Sequence, residues 1–277
     1  MTVWKARAAS GPIALIAGQG EFPVIFAKAA MSVGRPVMVF GVTDHTDKRV
    51  EAFASESHYV GLGELGRLVE LLRQKKIKQS VFAGSVPKKK IYDPSFRLDA
   101  DAQNFMSKAR NKGDDHLLRA FELFLRTRCG IAVIDPRVLL KETLAAKGVL
   151  TRRRPTEQEW RDLKLGFQVA KHTGKMDIGQ TVVIKDGVVL AVEAIEGTDQ
   201  AIRRGGELGR GEVVVVKASK PNQDLRFDLP CVGPETLEAM RSVSSRALGV
   251  EAGKTILISK EKLLETADGQ NMTIAAF

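Results

Sequence analysis

The feature that most constrains this chain is the alternation of short apolar runs with helical patterns in its first half. Apolar runs cover residues 13–17, 37–42 and 80–84, and helical stretches lie between them, such as the leucine pattern of residues 65–75. Strands that alternate with helices, with no hairpin signal between them, favour a parallel sheet. The sequence therefore predicts a Rossmann-like α/β domain over residues 1–150.

The second half has a different pattern. A basic stretch that ends in proline, residues 151–155, is the predicted linker. Apolar runs then flank Asp186-Gly187, which is the strongest short hairpin signal and requires antiparallel strands. We predict a mixed-sheet α/β domain over residues 151–277.

The charge is distributed unevenly along the chain. Lys and Arg number 43 against 33 Asp and Glu, a formal charge of +10, and nearly all of the excess lies in residues 1–150. Such an asymmetry indicates an anionic partner, either a phosphorylated ligand, an acidic membrane face or nucleic acid, although a solvated surface explains it equally well. Nucleic acid is not expected, because aromatic residues make up 6% of the chain and do not alternate with the basic ones.

Cysteine content and hydrophobicity indicate a cytoplasmic protein. Cys129 and Cys231 lie far apart with no Cys-x-x-Cys spacing, so neither a disulfide framework nor a thiolate zinc site is expected. No apolar stretch approaches the roughly 18 residues that cross a bilayer, and the start of the chain lacks a secretory pattern.

A glycine-rich turn at the first strand–helix junction is the first candidate for binding. Gly18-Gln19-Gly20 would let the backbone approach a phosphate at the positive end of a helix. Gly84 and Ser85 follow another predicted strand and would lie at the same edge of the sheet. We predict that these five residues bind substrate; the alternative is that the glycines only supply the dihedral angles of tight turns.

Two adjacent acids, Asp114 and Asp115, precede a helical pattern over residues 117–125. One of them is expected to cap that helix. The alternative is a carboxylate beside the ligand, and Asp115 is the candidate for that role.

The second half concentrates acids, bases and amides at two places, residues 193–204 and residues 220–230. Carboxylates bind Mg²⁺ through oxygen, and Lys or Arg neutralises a transferring phosphate, so this density favours metal-assisted phosphoryl transfer. The alternative is a network of surface salt bridges. The candidate metal ligands are Glu196, Asp224 and Asp228. The candidate substrate-binding residues are Thr198, Asp199, Arg203, Lys217, Lys220, Gln223 and Arg226.

Other chemistries are excluded by the residues themselves. The four histidines show no zinc-binding spacing, and no Gly-x-Ser-x-Gly elbow occurs. The stretch 249–255 is similar to a Walker loop, but three residues separate its glycines where that motif has four, and an apolar run follows it.

Several sequence blocks together resemble the LpxI-type UDP-2,3-diacylglucosamine pyrophosphatases of lipid A synthesis. The most specific are residues 191–199, Ala-Val-Glu-Ala-Ile-Glu-Gly-Thr-Asp, and residues 223–230, Gln-Asp-Leu-Arg-Phe-Asp-Leu-Pro. The blocks follow the order of the family over about 270 residues.

The resemblance implies two α/β domains with the substrate in a cleft between them. It implies hydrolysis of UDP-2,3-diacylglucosamine, dependent on Mg²⁺ or another divalent cation such as Mn²⁺, to UMP and 2,3-diacylglucosamine 1-phosphate (lipid X). Asp228, the acid of the Asp-Leu-Pro triplet, is the implied catalytic residue. A diacylated substrate and a basic first half imply peripheral attachment to the cytoplasmic face of the inner membrane. A homodimer is left open.

Two alternatives compete with hydrolysis. The chain could be a nucleotide-sugar binding protein without turnover, in which Asp224 and Asp228 would tolerate replacement. It could also be a nicotinamide-dependent oxidoreductase, although Pro23 stands where a dinucleotide-binding fingerprint has its third glycine.

Overall fold

The computed structural model describes residues 11–86, 97–108, 114–221, 223–227 and 229–277. The chain forms two compact units, Met1–Leu139 and Leu140–Phe277.

The N-terminal unit is a parallel α/β domain. Its strands are β1 Ile13–Ala17, β2 Val37–Val42, β3 Glu56–Val60, β4 Gln79–Ala83 and β5 Ala132–Val133. Its helices are α1 Phe22–Ser32, α2 Leu65–Gln74, α3 Ala100–Lys108 and α4 Asp114–Cys129. Within the described residues the strand order is β3-β2-β1-β4-β5, and every neighbouring pair is parallel. This order confirms the predicted Rossmann-like domain.

Two parts of this unit differ from the sequence-based expectation. The strand β3 was not predicted, because Glu56, Ser57 and His58 give it a polar appearance. The sequence predicts a helix from Pro136, whereas the structure has a single 3₁₀ turn there, Pro136–Val138, after β5. A second 3₁₀ turn, Lys48–Phe53, precedes β3.

The C-terminal unit is built on a mixed sheet. Its strands are β6 Gly148–Val149, β7 Thr181–Lys185, β8 Val188–Val192, β9 Val214–Lys217, β10 Cys231–Val232, β11 Ala247–Val250, β12 Ile256–Leu257 and β13 Thr273–Ala276. Its helices are α5 Glu157–Lys175, α6 Thr198–Gly209, α7 Pro234–Ser242 and α8 Lys260–Gly269. In the described chain the sheet order is β6-β13-β11-β9-β7-β8, and β10 pairs separately with β12. The strands β13, β11 and β9 are parallel, whereas β6, β7 and β8 are antiparallel to their neighbours, as predicted for a mixed sheet.

Two short sequence motifs in this unit, a hairpin turn and a helix cap, adopt the local structures that their residues favour. Asp186 and Gly187 turn β7 into β8 with φ values of 51° and 78°, the left-handed conformation that a tight hairpin needs. The Thr-x-x-Glu spacing of Thr156 and Glu159 predicts a capping box, and the structure has one at the start of α5. The Glu159 amide donates to Thr156 Oγ1 at 3.2 Å, and the Thr156 amide donates to Glu159 Oε2 at 2.8 Å.

The segment before residue 150 belongs to the C-terminal unit. Gly148 and Val149 pair with β13, and Leu144 bridges to Ile256. The sequence-based division at residue 150 leaves this segment with the first domain, whereas its backbone hydrogen bonds join it to the second.

The C-terminal sheet is buried on both faces. Successive residues of β7 alternate: Val183 packs in a core with α6, α7 and α8, whereas Val182 and Ile184 pack with α5. Because β7 runs antiparallel to β9, the first residue of β7, Thr181, lies opposite Lys217 at the end of β9. The carboxyl ends of β9 and β11 meet at this same edge of the sheet.

Candidate active site

In the N-terminal unit, the two glycine-containing turns predicted to bind substrate are bonded to each other. The Gly18 amide donates to the Ala83 carbonyl at 2.8 Å, and the Gln19 amide donates to the Ser85 carbonyl at 2.8 Å. The Ser85 amide donates in return to the Gln19 carbonyl at 3.1 Å. The structure therefore brings these residues together, as expected for neighbouring parallel strands, but three of their amides are used within the protein.

Close approach of the two turns explains two of the glycines. A Cβ atom on Gly18 would lie 2.3 Å from the Ser85 carbonyl oxygen, and one on Gly84 would lie 2.4 Å from the Gln19 carbonyl oxygen. Gly20 differs, because its φ of 91° requires glycine while no atom lies within 4 Å of the Cβ position. Gly18 and Gly84 are thus required by packing, and Gly20 faces open space.

Asp114 and Asp115 form the first turn of α4. The residues that precede them, and the side chains of both aspartates, lie outside the described part of the structure. The predictions that one of them caps the helix and that Asp115 contacts substrate stay predictions.

In the C-terminal unit, Lys217 lies at the end of β9 with 8% of its surface exposed. Its Nζ donates to Thr198 Oγ1 at 3.0 Å, and Thr198 Oγ1 donates to Glu193 Oε1 at 3.1 Å. In the parts of the chain that the structure describes, Lys217 forms no ion pair with a carboxylate within 4 Å. A buried ammonium without a counter-ion is costly unless a ligand supplies the negative charge.

The helix α6 directs its predicted residues to two places. Thr198 is its first residue, follows Gly197 with a φ of 88°, and bonds to Lys217. Asp199 and Arg203 instead line a cavity of about 520 Å³ between α6, α7 and α8. Sequence reasoning grouped these residues, and the helical geometry separates them.

The chain that leaves β9 is held at its second and third residues, Ser219 and Lys220. Ser219 bonds to Glu251, with the amide 3.0 Å and the hydroxyl 2.6 Å from Glu251 Oε2. Lys220 Nζ forms an ion pair with Asp177, and the Lys220 amide donates to Gln223 Oε1 at 3.0 Å. The predicted residues Lys220 and Gln223 thus shape the loop as well as carrying polar groups.

Asp224 and Arg226 form a bidentate pair within this loop. Arg226 Nη2 lies 2.6 Å from Asp224 Oδ2, and Arg226 Nε lies 2.9 Å from Asp224 Oδ1. The guanidinium also lies 4.8 Å from the centre of the Phe227 ring. Asp228, the predicted catalytic residue, lies outside the described residues.

The two predicted metal ligands that the structure describes do not fit a divalent cation in this arrangement. Both Asp224 oxygens accept from Arg226, and Glu196 accepts from Arg204 Nη2 at 2.6 Å and from the Ala194 amide at 3.1 Å. The Arg204 hydrogen bond lowers the pKa of Glu196 from its ordinary value. Across the described residues, no three His, Cys, Asp or Glu side chains are grouped to hold a metal ion.

Sequence reasoning missed the most strongly bonded acid at this edge, Glu251. It follows β11 and is 7% exposed. Burial would raise its pKa, but hydrogen bonds from Lys171, Lys254 and Ser219 outweigh burial and lower the pKa to about 2. An acid directly after an apolar strand was a usable signal, but it lay within the glycine-rich stretch that we excluded as a Walker loop.

The fold and the site define the class of this protein, an α/β protein of two units with charged and polar side chains at one edge of its second sheet. The model of the LpxI N-terminal domain matches residues 12–143, and that of the LpxI C-terminal domain matches residues 146–275. The chain is also 32% identical over 271 residues to the UDP-2,3-diacylglucosamine pyrophosphatase LpxI of Caulobacter vibrioides, which covers 92% of this chain and 94% of the relative. The chain therefore belongs to the LpxI family.

Other similarities are partial. A bifunctional purine biosynthesis protein PurH of Bacillus cytotoxicus is 34% identical over 95 residues, which is 32% of this chain and 17% of that protein. Among solved structures, N5-carboxyaminoimidazole ribonucleotide synthetase from Thermotoga maritima is 13% identical, with a TM-score of 0.24 over 69% of this chain and 43% of that chain.

Proposed function

We propose that this chain hydrolyses the diphosphate of UDP-2,3-diacylglucosamine, giving UMP and 2,3-diacylglucosamine 1-phosphate. The proposal is supported by family membership and by the name of the Caulobacter relative, whose length is almost fully matched. The observation within the molecule that carries it is Lys217, a buried cation without a carboxylate partner among the described residues.

Lys217 suits a phosphate ligand for electrostatic reasons. Its ammonium has three N–H donors, and the described bonds use one of them, to Thr198. The amides at the start of α6 add partial positive charge next to it. We assign to Lys217 and Thr198 the binding of one phosphate of the diphosphate, where they would stabilise negative charge that develops as the anhydride bond breaks.

The loop that follows β9 supplies the remaining chemistry in this proposal. Lys220 and Arg226, each already paired with an aspartate, are the cations that in this proposal turn toward the diphosphate and spread its charge. Asp228 is the proposed catalytic residue, either as acceptor of the proton of the attacking water or as a metal ligand.

Dependence on Mg²⁺, or on Mn²⁺, is a separate part of the proposal. A divalent cation would neutralise the diphosphate and so reduce its repulsion of an attacking water. Since Glu196 and Asp224 are bonded to arginines, no step of the reaction is assigned to them as ligands, and Asp228 is the ligand that we propose to test.

We also propose peripheral binding to the cytoplasmic face of the inner membrane. The support is the formal charge of +10, concentrated in residues 1–150, and a substrate with two acyl chains. None of the helices in the described residues has the length and hydrophobicity of a membrane span. Sedimentation with anionic vesicles at low salt tests this part, and a protein that stays in the supernatant contradicts it.

The test of the activity is UMP release from UDP-2,3-diacylglucosamine by the purified chain with Mg²⁺. We expect release that chelation with EDTA abolishes and that Asp228→Ala abolishes. Asp268→Ala, which removes an acid bonded to Arg152 near the protein surface, is the matched control and should keep full activity. Binding of the substrate without UMP release would instead support the nucleotide-sugar binding alternative.

A further inference from the structure

A buried carboxylate holds the start of the loop that carries most of the proposed site residues. Glu251 Oε2 accepts from the Ser219 amide at 3.0 Å and from the Ser219 hydroxyl at 2.6 Å. Glu251 directly follows β11, and Ser219 is the second residue after β9. This contact therefore ties the loop of residues 219–230, here called the β9 loop, to the end of the neighbouring strand β11.

Lys171 of α5 completes the contact from a third direction. Its Nζ lies 2.7 Å from Glu251 Oε2 and 2.8 Å from the Ser219 carbonyl oxygen. Both main-chain polar groups of Ser219 are therefore fixed, the amide by Glu251 and the carbonyl by Lys171. The other Glu251 oxygen, Oε1, lies 2.7 Å from Lys254 Nζ and faces away from this contact.

The next residues transmit the position of Ser219 along the loop. Lys220 is bonded to Asp177, and its amide and carbonyl are joined to Gln223 at 3.0 and 3.1 Å. Gln223 immediately precedes the Asp224–Arg226 pair. A shift of Ser219 would consequently displace the cations and carboxylates that follow it.

We propose that Glu251 is a positioning residue, which acts through Ser219 to place the β9 loop against the sheet edge where Lys217 ends β9. This inference rests on the proposed function for its effect on turnover. Both oxygens of Glu251 are bonded to protein groups, so Glu251 orients the site without contacting substrate.

The first test needs no activity. Hydrogen–deuterium exchange of peptides from residues 219–230 is compared between the wild-type chain and Glu251→Gln, with peptides from β9 and β11 as internal controls. We expect the β9 loop to exchange at least about threefold faster in the variant while the two strands are unchanged. Unchanged exchange in the loop contradicts the proposal.

The second test measures turnover in Glu251→Gln, in Ser219→Ala and in the double variant. We expect each single change to lower kcat by about 10²-fold with KM within about threefold, because a small displacement of reacting groups has effects of that size. The double variant should be little slower than Glu251→Gln alone, since the hydroxyl that Ser219→Ala removes bonds to the same carboxylate.

Lys254→Met is the matched control. It removes a partner from the same carboxylate but leaves the Ser219 contact, so kcat should stay within about threefold of wild type. Wild-type kcat in folded Glu251→Gln and Ser219→Ala, or effects that add in the double variant, would overturn the positioning role. If the wild-type chain itself releases no UMP, the proposed function is wrong, and the exchange experiment still decides whether Glu251 holds the loop.

Discussion

The two sheets of this protein end in different ways at the edges where site residues were predicted. At the edge of the N-terminal sheet, the turns at Gly18 and Gly84 bond to each other through main-chain groups. At the edge of the C-terminal sheet, charged side chains do the bonding, with Glu251 and Lys171 holding the loop and Lys217 left without a carboxylate among the described residues.

The difference shows why similar positions in two α/β units need not have similar roles. An amide that already donates to a protein carbonyl cannot also bind a phosphate without breaking a bond worth about 1 kcal/mol. A buried ammonium with unused N–H donors favours binding an anion, because the anion offsets the free energy that burying the positive charge costs. Three amides of the glycine turns are thus already used within the protein, and the charged edge is the better candidate for chemistry, while substrate binding by the turns stays a prediction.

The largest expected effect is that of Lys217→Met. It removes the proposed phosphate contact with little change in side-chain length, and kcat/KM should fall by about 10²- to 10³-fold. Lys185→Met is the control, because Lys185 lies at the opposite end of the sheet and bonds to the carbonyls of Gly209 and Gly211. Steady-state UMP release distinguishes them, and a loss below about threefold for Lys217→Met would show that the charged edge does not bind substrate.

The next effect is on stability in acid. The pKa of Glu251 is lowered to about 2 in the folded chain, so its stabilisation is present above its ordinary pKa of about 4.3 and is lost as the pH falls through about 2. The free energy of unfolding of the wild-type chain should exceed that of Glu251→Gln by on the order of 3 kcal/mol near pH 6. This difference should vanish near pH 2. Urea unfolding, followed by Trp160 fluorescence in a Trp4→Phe background, measures it. A difference that does not change with pH contradicts the assignment.

The glycine turns permit a matched comparison of smaller size. Gly84 and Gly20 have φ values of 85° and 91°, but a Cβ would meet the Gln19 carbonyl at Gly84 and open space at Gly20. Gly84→Ala should destabilise the N-terminal unit by roughly 3 kcal/mol, and Gly20→Ala by about 1 kcal/mol. Hydrogen exchange of peptides from β1 and β4 measures the loss of stability in each of the two variants. Equal effects would mean that the turns do not pack as closely as described.

The smallest effect is expected for Glu196→Gln. Its ion pair with Arg204 is partly exposed, so its loss should change stability by about 1 kcal/mol or less and kcat by less than about threefold. UMP release at several Mg²⁺ concentrations checks this. A large loss of activity that high Mg²⁺ restores would instead identify Glu196 as a metal ligand.

Local signals were sufficient for much of the fold. The Asp186-Gly187 turn and the Thr156 cap are determined by neighbouring residues. The apolar runs of the parallel strands β1, β2 and β4 follow from the burial of those strands. The strand β11 was missed because it has four residues, including Gly249, whose Cβ position lies 2.8 Å from the Leu163 side chain. In a sequence, a glycine that packing requires within a strand cannot be distinguished from a glycine that marks a turn, because the residue it packs against is unknown.

The same limit applies to the site. Thr198 was predicted because it opens a helix within a stretch dense in polar residues, and Lys217 because a diphosphate requires nearby cations. Glu251 was not, since its partners Ser219 and Lys171 lie 32 and 80 residues away along the chain. Such pairs are created by the sheet and have no spacing that a sequence displays.

If Lys217, which has no carboxylate partner among the described residues, binds phosphate as we propose, the choice of buffer affects the protein. An oxyanion bound there would favour the folded chain over the unfolded one, and above its Kd it would raise the melting temperature with the logarithm of its concentration. Inorganic phosphate in a purification buffer would then both stabilise the folded chain and compete with the substrate. Protein stored in phosphate would show a raised melting temperature and a lowered rate of UMP release until the buffer is exchanged.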